Sequence, residues 1–446
     1  MRKSARRGVP GTKCNPQFLR EVADLSKGFR KKQTINILKI INMKKPGFYL
    51  LLLTLVVAIS SCGTKTEKVT ESFIDENVKF AAAQYGMQVA AIEDSGRILN
   101  PKTLINGKIR YIRPQEWTSG FFPGSMWYLY ELTGDARWKE LGVKYSEALD
   151  TIQYLTSHHD VGFMIGSSYG NGLRLTGTEA YKGVIIQAAK SLCTRFRPGA
   201  GIIQSWNVGG WQAERGWECP VIIDNMMNLE LLFKATELSG DSTFYNIAVS
   251  HADKTIENHF RPDYSTWHVV DYNMADGTIR HKETAQGYSH ESAWARGQAW
   301  AIYGYTITYR ATGDKKYLDQ AEKAFEFVAN HPNYPADGVP YWDFNAPGIP
   351  DTLRDASAGA IMASALYELS TYSKPEYYKA KADLIMETLA GPAFRAVLGE
   401  NGNFLLMHSV GSIPHNSEVD VPLNYADYYF LEALKRKRDL EGKTNH

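Results

Sequence analysis

The chain has 446 residues, 44% apolar and 22% charged, a composition that supports a large buried core and excludes a disordered or fibrous protein. Its net charge of +2 conceals an asymmetry: residues 1–61 hold 13 of the 50 Lys and Arg but 2 of the 48 Asp and Glu, which leaves −9 on the remainder. A body that acidic is not a bulk binder of nucleic acid or another polyanion, so an anionic ligand must be held by a few local Arg or Lys.

Met43 reads as the natural start, and residues 1–42 as an upstream over-extension of the reading frame. Lys44 and Lys45 precede the apolar run 48–59, which is short for a membrane span and reads as a secretory signal over 43–61. The ending Ile59-Ser60-Ser61-Cys62 resembles a bacterial lipobox. That resemblance implies a lipidated Cys62, a tether over 62–70, and a body anchored to the membrane of the bacterial cell envelope, periplasmic or outer-membrane associated. An uncleaved N-terminal anchor is the alternative. Cys193 and Cys219 are the thiols left in the body; they allow one disulfide but no framework, and Cys193 lies on an apolar helical pattern that reads as core. No Cys/His spacing resembles a zinc site, and neither a metal nor a cofactor is expected.

From residue 70 onward the pattern is almost wholly helical. Helical stretches are predicted near 70–87, 119–133, 136–155, 161–169, 174–195, 222–238, 242–258, 291–311, 314–330, 355–373, 375–391 and 422–439. A punctuation recurs in Leu132-Thr133-Gly134-Asp135, Leu238-Ser239-Gly240-Asp241 and Ala311-Thr312-Gly313-Asp314. Gly ends one helix in the left-handed conformation and Asp caps the next, giving a hairpin with a tight turn. Ser373 and Pro375 are expected to make a fourth such turn without Gly. Apolar inner helices alternating with amphipathic outer ones predict an all-α fold, a closed (α/α)6 barrel forming a single catalytic domain over 71–440, with an open solenoid as the alternative. Long connections at 88–118, 196–221, 259–290, 331–354 and 392–421 gather at one end, where a site is expected.

The stretch from Pro220 to Phe233 runs apolar residues straight into Asp224 at a helix start. Asp224 is either a helix cap or an acid/base group whose apolar neighbours raise its pKa. Asp160, after His158 and His159, also stands at a helix start with the same two readings. Arg296 and Trp300 are four apart and share a helix face. An Arg there grips a sugar carboxylate beside a stacking indole, or else pairs with an acid across the barrel. His268 is either a site residue or a satisfied core histidine. Two acids, a His, an Arg and many aromatics at one end suggest carbohydrate chemistry, in which paired carboxylates act as acid and base.

The motifs WTSGFFPG (117–124), HHDVGF (158–163), AGIIQSW (200–206), VIIDNMMNLELL (221–232), QGYSHESAWARGQAWAIYG (286–304), VPYWDF (339–344), RDASA (354–358) and ADYYFLEAL (426–434) resemble glycoside hydrolase family 88, the unsaturated glucuronyl hydrolases. The resemblance covers about 116–434. It implies an (α/α)6 barrel, no metal, Asp224 as general acid/base and Asp160 as its partner carboxylate. It also implies that His268, Gln286, Arg296, Trp300, Trp117 and Ser409 line the sugar site. The implied reaction removes a 4,5-unsaturated uronic acid from the non-reducing end of lyase-generated oligosaccharides, glycosaminoglycan disaccharides first among them, by hydrating the vinyl ether. Some members acting on sulfated chondroitin fragments carry a Ser- and Lys-containing loop. The corresponding stretch 407–414 keeps Ser409 but has no Lys, and His415, Arg113 and Lys108 are the candidate substitutes. A hydrolase of unsaturated rhamnogalacturonan disaccharides and a non-catalytic sugar-binding lipoprotein are the alternatives.

Overall fold

The structure, a computed structural model, describes residues 72–444. The expected upstream extension, signal segment, lipidated Cys62 and tether lie outside the described residues, which begin at residue 72.

The Gly-Asp punctuation does what its chemistry dictates. Gly134, Gly240 and Gly313 sit at φ of 70°, 74° and 70°, each sending its N–H back to the carbonyl of Tyr130, Thr236 or Tyr309. The following Asp135, Asp241 and Asp314 each accept the N–H of the residue two ahead, satisfying a first-turn donor of the next helix. Each unit closes an inner helix onto an outer one. At the fourth turn Lys374, not Ser373, takes the left-handed conformation, and Pro375 occupies the first helical turn, where its missing N–H costs nothing.

Six inner elements form a ring. They are the helix Phe121–Thr133, the π-helix Gly162–Gly170 running into Asn171–Thr176, the 3-10 turn Ile223–Asn228 running into Leu229–Ser239, and the helices Ala295–Thr312, Ala356–Leu369 and Asn424–Thr444. Each packs on the next, and the last returns to the first, so the ring is closed. Outside it lie Phe73–Glu93, Ala136–Glu147, Glu179–Cys193, Ser242–His259, Lys315–Asn330 and Pro375–Leu389. The division follows from the side chains. All 14 residues of Ala356–Leu369 are buried, whereas Lys315–Asn330 buries a stripe that includes Tyr317, Ala321, Ala324, Phe325 and Val328. The fold is the predicted (α/α)6 barrel.

Several expectations need correction. The stretch 174–195 breaks at Gly177 in the left-handed conformation, and 136–155 stops at Glu147 before a separate 3-10 turn, Asp150–Tyr154. Cys193 and Cys219 are both free, and Cys193 is only half-buried. The body is also less purely helical than its periodicity implies. Strands β1 (Asn100–Ile105) and β2 (Lys108–Ile112) form one hairpin, and β3 (Phe196–Arg197) and β4 (Ile202–Ile203) a second. Strands β5 (Pro220–Ile222), β6 (Val269–Tyr272) and β7 (Ile279–Glu283) make a three-stranded antiparallel sheet, and β8 (Ser409–Ser412) pairs with β9 (Ser417–Val421). All nine lie in the long connections that lead into inner elements. Inner-helix N-termini and strands therefore share one end, and the tight Gly-Asp turns mark the other.

Candidate active site

Strand pairing places the two central side chains. Ile222 pairs with Val269 across β5 and β6, and the Ile223 N–H donates to the His268 carbonyl at 3.0 Å. Asp224 and His268 thus stand just beyond the ends of paired strands, with His268 Nε2 3.7 Å from Asp224 Oδ2. His268 Nδ1 accepts the backbone N–H groups of Ala285 at 3.1 Å and Gln286 at 3.2 Å, which fixes the proton on Nε2, facing Asp224. Burial, reinforced by the Arg296 charge, holds its pKa far below the usual histidine range, so the ring is neutral.

Asp224 is 8% exposed, and its Oδ2 has no hydrogen-bond partner. Its carboxyl is pushed up to about 7, chiefly by burial; the Arg296 charge opposes this, the nearby Asp160 adds to it, and the Trp300 indole N–H draws it partly back. The capping role is not realised. Ile222 holds the cap position of the turn, and no side chain accepts its orphan N–H groups.

Asp160 is the opposite case. His158 Nδ1 lies 3.1 Å from Asp160 Oδ2 and His159 Nε2 3.2 Å from Oδ1. Burial pushes the Asp160 carboxyl up, but the two imidazoles and the Arg195 charge outweigh it and hold the pKa below the ordinary value. His158 faces Asp160 with one nitrogen and the Gln115 carbonyl, at 3.3 Å, with the other. Burial disfavours its charge, yet those two oxygens raise its pKa overall. Burial drops the His159 pKa to about 4, leaving that ring neutral. One carboxyl therefore holds its proton near neutrality while its neighbour is ionised.

The segments bearing the two acids are fastened together. Asn228 Oδ1, in the Asp224 turn, accepts the Phe163 N–H at 2.9 Å. A Cβ on the preceding Gly162 would stand 2.6 Å from Asn228 Cα, so only glycine lets the chains approach this closely.

Arg296 is not an outstretched grip. It is 1% exposed, pairs with Asp355 at 3.0 Å, and donates to the carbonyls of Val410 and, at 2.7 Å, Gly411. Its guanidinium lies 4.5 Å from the Trp294 ring centroid and 5.5 Å from that of Tyr425. Trp300 is fully buried, with ring centroids 5.1 Å from Phe163 and 5.4 Å from Tyr429, and offers its N–H rather than its face. Gln286 Nε2 donates to the Gly411 carbonyl at 3.1 Å, tying the β7–Ala295 connection to β8. Ser409, on β8, is buried with an unpartnered hydroxyl. Trp117 is half-buried, 5.1 Å from the Tyr425 ring. The structure thus places His268 beside Asp224 and brings Asp160 and Trp300 within electrostatic reach of it, with Arg296, Gln286 and Ser409 around β8.

Sequence reasoning passed over Trp294 and Asp355. Both stand in quoted motifs, AWARGQAW and RDASA, but only the fold shows them enclosing Arg296. It also passed over Trp211, Trp217 and Arg215, which lie in a Gly- and Trp-rich connection with no periodic signal.

A cavity of about 1040 Å3 opens among the inner helices, lined by residues including Arg310, Glu368, Glu432 and Arg436 toward the tight-turn end. Its acids are satisfied: Glu432 accepts from Tyr128, Tyr303 and Ser364, each at 2.6 Å, and Glu368 pairs with Arg310 at 3.1 Å and Arg436 at 2.6 Å. Both acids are thus taken up by partners rather than left free for chemistry. Among the described residues, no group of three His, Cys, Asp or Glu can hold a metal ion, and no helix is long and apolar enough to cross a membrane.

Known proteins match both the chain and its fold. The family model described as Glycosyl Hydrolase Family 88 matches residues 102–430. An unsaturated glucuronyl hydrolase of Formosa agariphila is 48% identical over 333 residues, covering 74% of this chain and 82% of the relative. An unsaturated chondroitin disaccharide hydrolase of Streptococcus pneumoniae is 32% identical, covering 72% and 81%. The crystal structure of an unsaturated glucuronyl hydrolase specific for heparin superposes with a TM-score of 0.79 at 43% identity, covering 83% of this chain and 98% of that one. A closed ring of six inner and six outer elements, the two carboxyls at its strand-bearing end and these matches converge: the chain belongs to glycosyl hydrolase family 88.

Proposed function

We propose that this protein is an unsaturated glucuronyl hydrolase that removes the 4,5-unsaturated uronic acid from the non-reducing end of lyase-generated glycosaminoglycan oligosaccharides. The observation that carries the reading is the asymmetric pair: Asp224 protonated near neutrality beside an ionised Asp160. Asp224 donates its proton to C4 of the vinyl ether, leaving positive charge shared between C5 and the ring oxygen. As a carboxylate it then takes a proton from the water that adds at C5, which restores the acid. The hemiketal so formed opens and releases the remaining sugar. Asp160 keeps a fixed negative charge beside the developing cation and keeps the Asp224 pKa high. The His268 Nε2–H directs the water or a substrate oxygen. Arg296 anchors β8, so that the Ser409 hydroxyl and the Gln286 amide present polar groups to the sugar, while Trp117 covers the ring.

Incubation with unsaturated disaccharides from different lyases, followed by loss of the double bond's ultraviolet absorbance, tests the reading. Loss with glycosaminoglycan disaccharides supports it. Loss only with a pectin-derived disaccharide, or with none, contradicts it.

Export and lipidation at Cys62 are part of the same proposal, supported by Lys44, Lys45, the apolar run 48–59 and the residues before Cys62. Incorporation of labelled fatty acid that vanishes in Cys62→Ser tests it.

A further inference from the structure

Arg195 is a cation enclosed in protein without an acid to pair with. It is 2% exposed, and among the described residues no carboxylate forms an ion pair with its guanidinium. Arg296, the other buried arginine among those residues, pairs with Asp355. The Arg195 donors go instead to neutral oxygens: Nε to the Gln204 carbonyl at 2.7 Å, and Nη1 to the Thr156 carbonyl at 2.6 Å and the Asn207 amide oxygen at 3.0 Å. Nη2 is buried and has no partner. Burial, then the Arg197 charge, lowers its pKa to about 10, so it still carries its charge at neutrality. A buried charge is normally paired, and one left unpaired weakens the fold unless it serves something else.

The oxygens that Arg195 holds belong to the two segments that carry Asp160 into the site. Thr156 stands at the head of the run Ser157-His158-His159-Asp160. Gln204 and Asn207 flank Ser205 and Trp206, whose backbone meets that run. The His159 N–H donates to the Ser205 carbonyl at 3.1 Å, and His158 forms a bridge with Trp206. One guanidinium therefore staples both sides of the pairing that presents Asp160.

Its charge is distinct from the others nearby. The groups that face Asp160 are His158 and His159 on its own segment, Arg195 just beyond the outer helix Glu179–Cys193, and Asp224 on the adjoining turn. Burial keeps His159 neutral, and His158 sheds its proton as pH rises. Among these groups only Arg195 keeps a positive charge across the whole neutral range.

We propose that Arg195 is a positioning residue for the reaction: its guanidinium is the fixed counter-charge that holds Asp160 as a carboxylate beside Asp224, and its hydrogen bonds brace the segment that bears Asp160. The inference rests on the proposed function, because it concerns the second acid of the same site. The unpaired burial of Arg195 then has a purpose, since a carboxylate of its own would cancel the charge that Asp160 needs.

The test compares pH profiles of kcat/KM on one unsaturated disaccharide for the wild type, Arg195→Gln and Arg195→Lys. Without the charge, Asp160 takes up its proton more readily, so the acid limb of Arg195→Gln is expected to move up by about one pH unit, while the basic limb, set by Asp224, stays in place. Arg195→Lys keeps the charge but loses the fork of donors; it is expected to hold the acid limb near the wild type's even where its rate is lower. An active Arg195→Gln with both limbs unmoved, or a Lys variant shifted as far as the Gln variant, shows a brace without an electrostatic role and overturns the inference. Should Arg195→Gln not fold, His158→Gln decides, because it leaves Arg195 as the remaining cation beside Asp160: an acid limb that stays below about pH 5 supports the role, and one above it overturns it. A wild type that consumes no unsaturated disaccharide overturns the proposed function itself.

Discussion

His268 Nε2 stands 3.7 Å from Asp224 Oδ2, while its other nitrogen is held by two backbone N–H groups. The ring is thereby fixed as a neutral donor aimed at the one carboxyl oxygen that lacks a partner. A donor locked in this way contributes direction rather than charge. His268→Gln, which keeps an N–H donor at similar reach but loses the rigid ring, is expected to lower kcat by roughly 10²-fold. Between pH 5 and 8 the acid limb of the pH–rate profile should not move, because burial holds the His268 pKa well below the ordinary histidine value. Steady-state kinetics across that range checks both statements.

The carboxyl proposed as the proton donor weakens the fold. Asp224 has a folded pKa of about 7 against an ordinary value of 3.8, so the folded state binds a proton more tightly than the unfolded chain. The native state therefore carries no penalty at low pH, and stability is lost as pH rises from the ordinary value through about 7, by on the order of 4 kcal/mol at most. Asp224→Asn removes that loss. Its melting temperature is expected to exceed the wild type's at pH 8 and to match it more nearly at pH 4. Equal melting temperatures at pH 8 would show that the carboxyl is not raised.

A raised pKa by itself does not mark a catalytic acid, and Asp427 shows why. Burial pushes it to about 7 as well, yet it accepts the N–H groups of Leu405 at 2.9 Å and Leu406 at 3.0 Å and faces Tyr85. It holds the 404–406 segment to the last inner helix. Asp427→Ala leaves two buried N–H groups unsatisfied and is expected to cost about 2–4 kcal/mol. Denaturant unfolding measures this, and the midpoints of the pH–rate profile should stay where they are.

Gly162 ties the two acids together. Gly162→Ala forces the Asp160 segment away from Asn228, with an expected loss of about 1–3 kcal/mol in stability. As Asp160 retreats, its influence on Asp224 weakens, so the basic limb of the pH–rate profile should move to lower pH. A destabilised variant with an unmoved profile would separate packing from the electrostatic pairing.

Much of this was legible in the sequence where the chemistry is local. Gly134-Asp135, Gly240-Asp241 and Gly313-Asp314 encode their turns within four residues, and the alternation of buried and striped helices follows from periodicity. Asp224 stood out because an apolar run leads into it, and the motifs shared with family 88 made it a candidate acid. Non-local pairing was not legible. Strand β5 meets β6 nearly fifty residues later, so nothing near Pro220 announces a strand. The surroundings of Arg296 were only partly legible for the same reason: an ion pair across the barrel was one of its two readings, and Asp355 supplies it. The spacing of Arg296 from Trp300 gives a helix face, but the carbonyls of Val410 and Gly411 that occupy it lie 114 and 115 residues away.

The pH dependence of kcat/KM on an unsaturated glycosaminoglycan disaccharide, followed by loss of the double bond's absorbance in the wild type and Asp224→Asn, is the most direct test of Asp224 as proton donor. Asp224 must be protonated to act, so activity should fall as pH rises through about 7. Asp160 is held ionised well into acid, so the fall on that side should come much lower. The Asn variant, folded but without the proton, should lose at least roughly 10²-fold. Activity that rises through pH 7, or an Asn variant that turns over near the wild-type rate, would contradict the account.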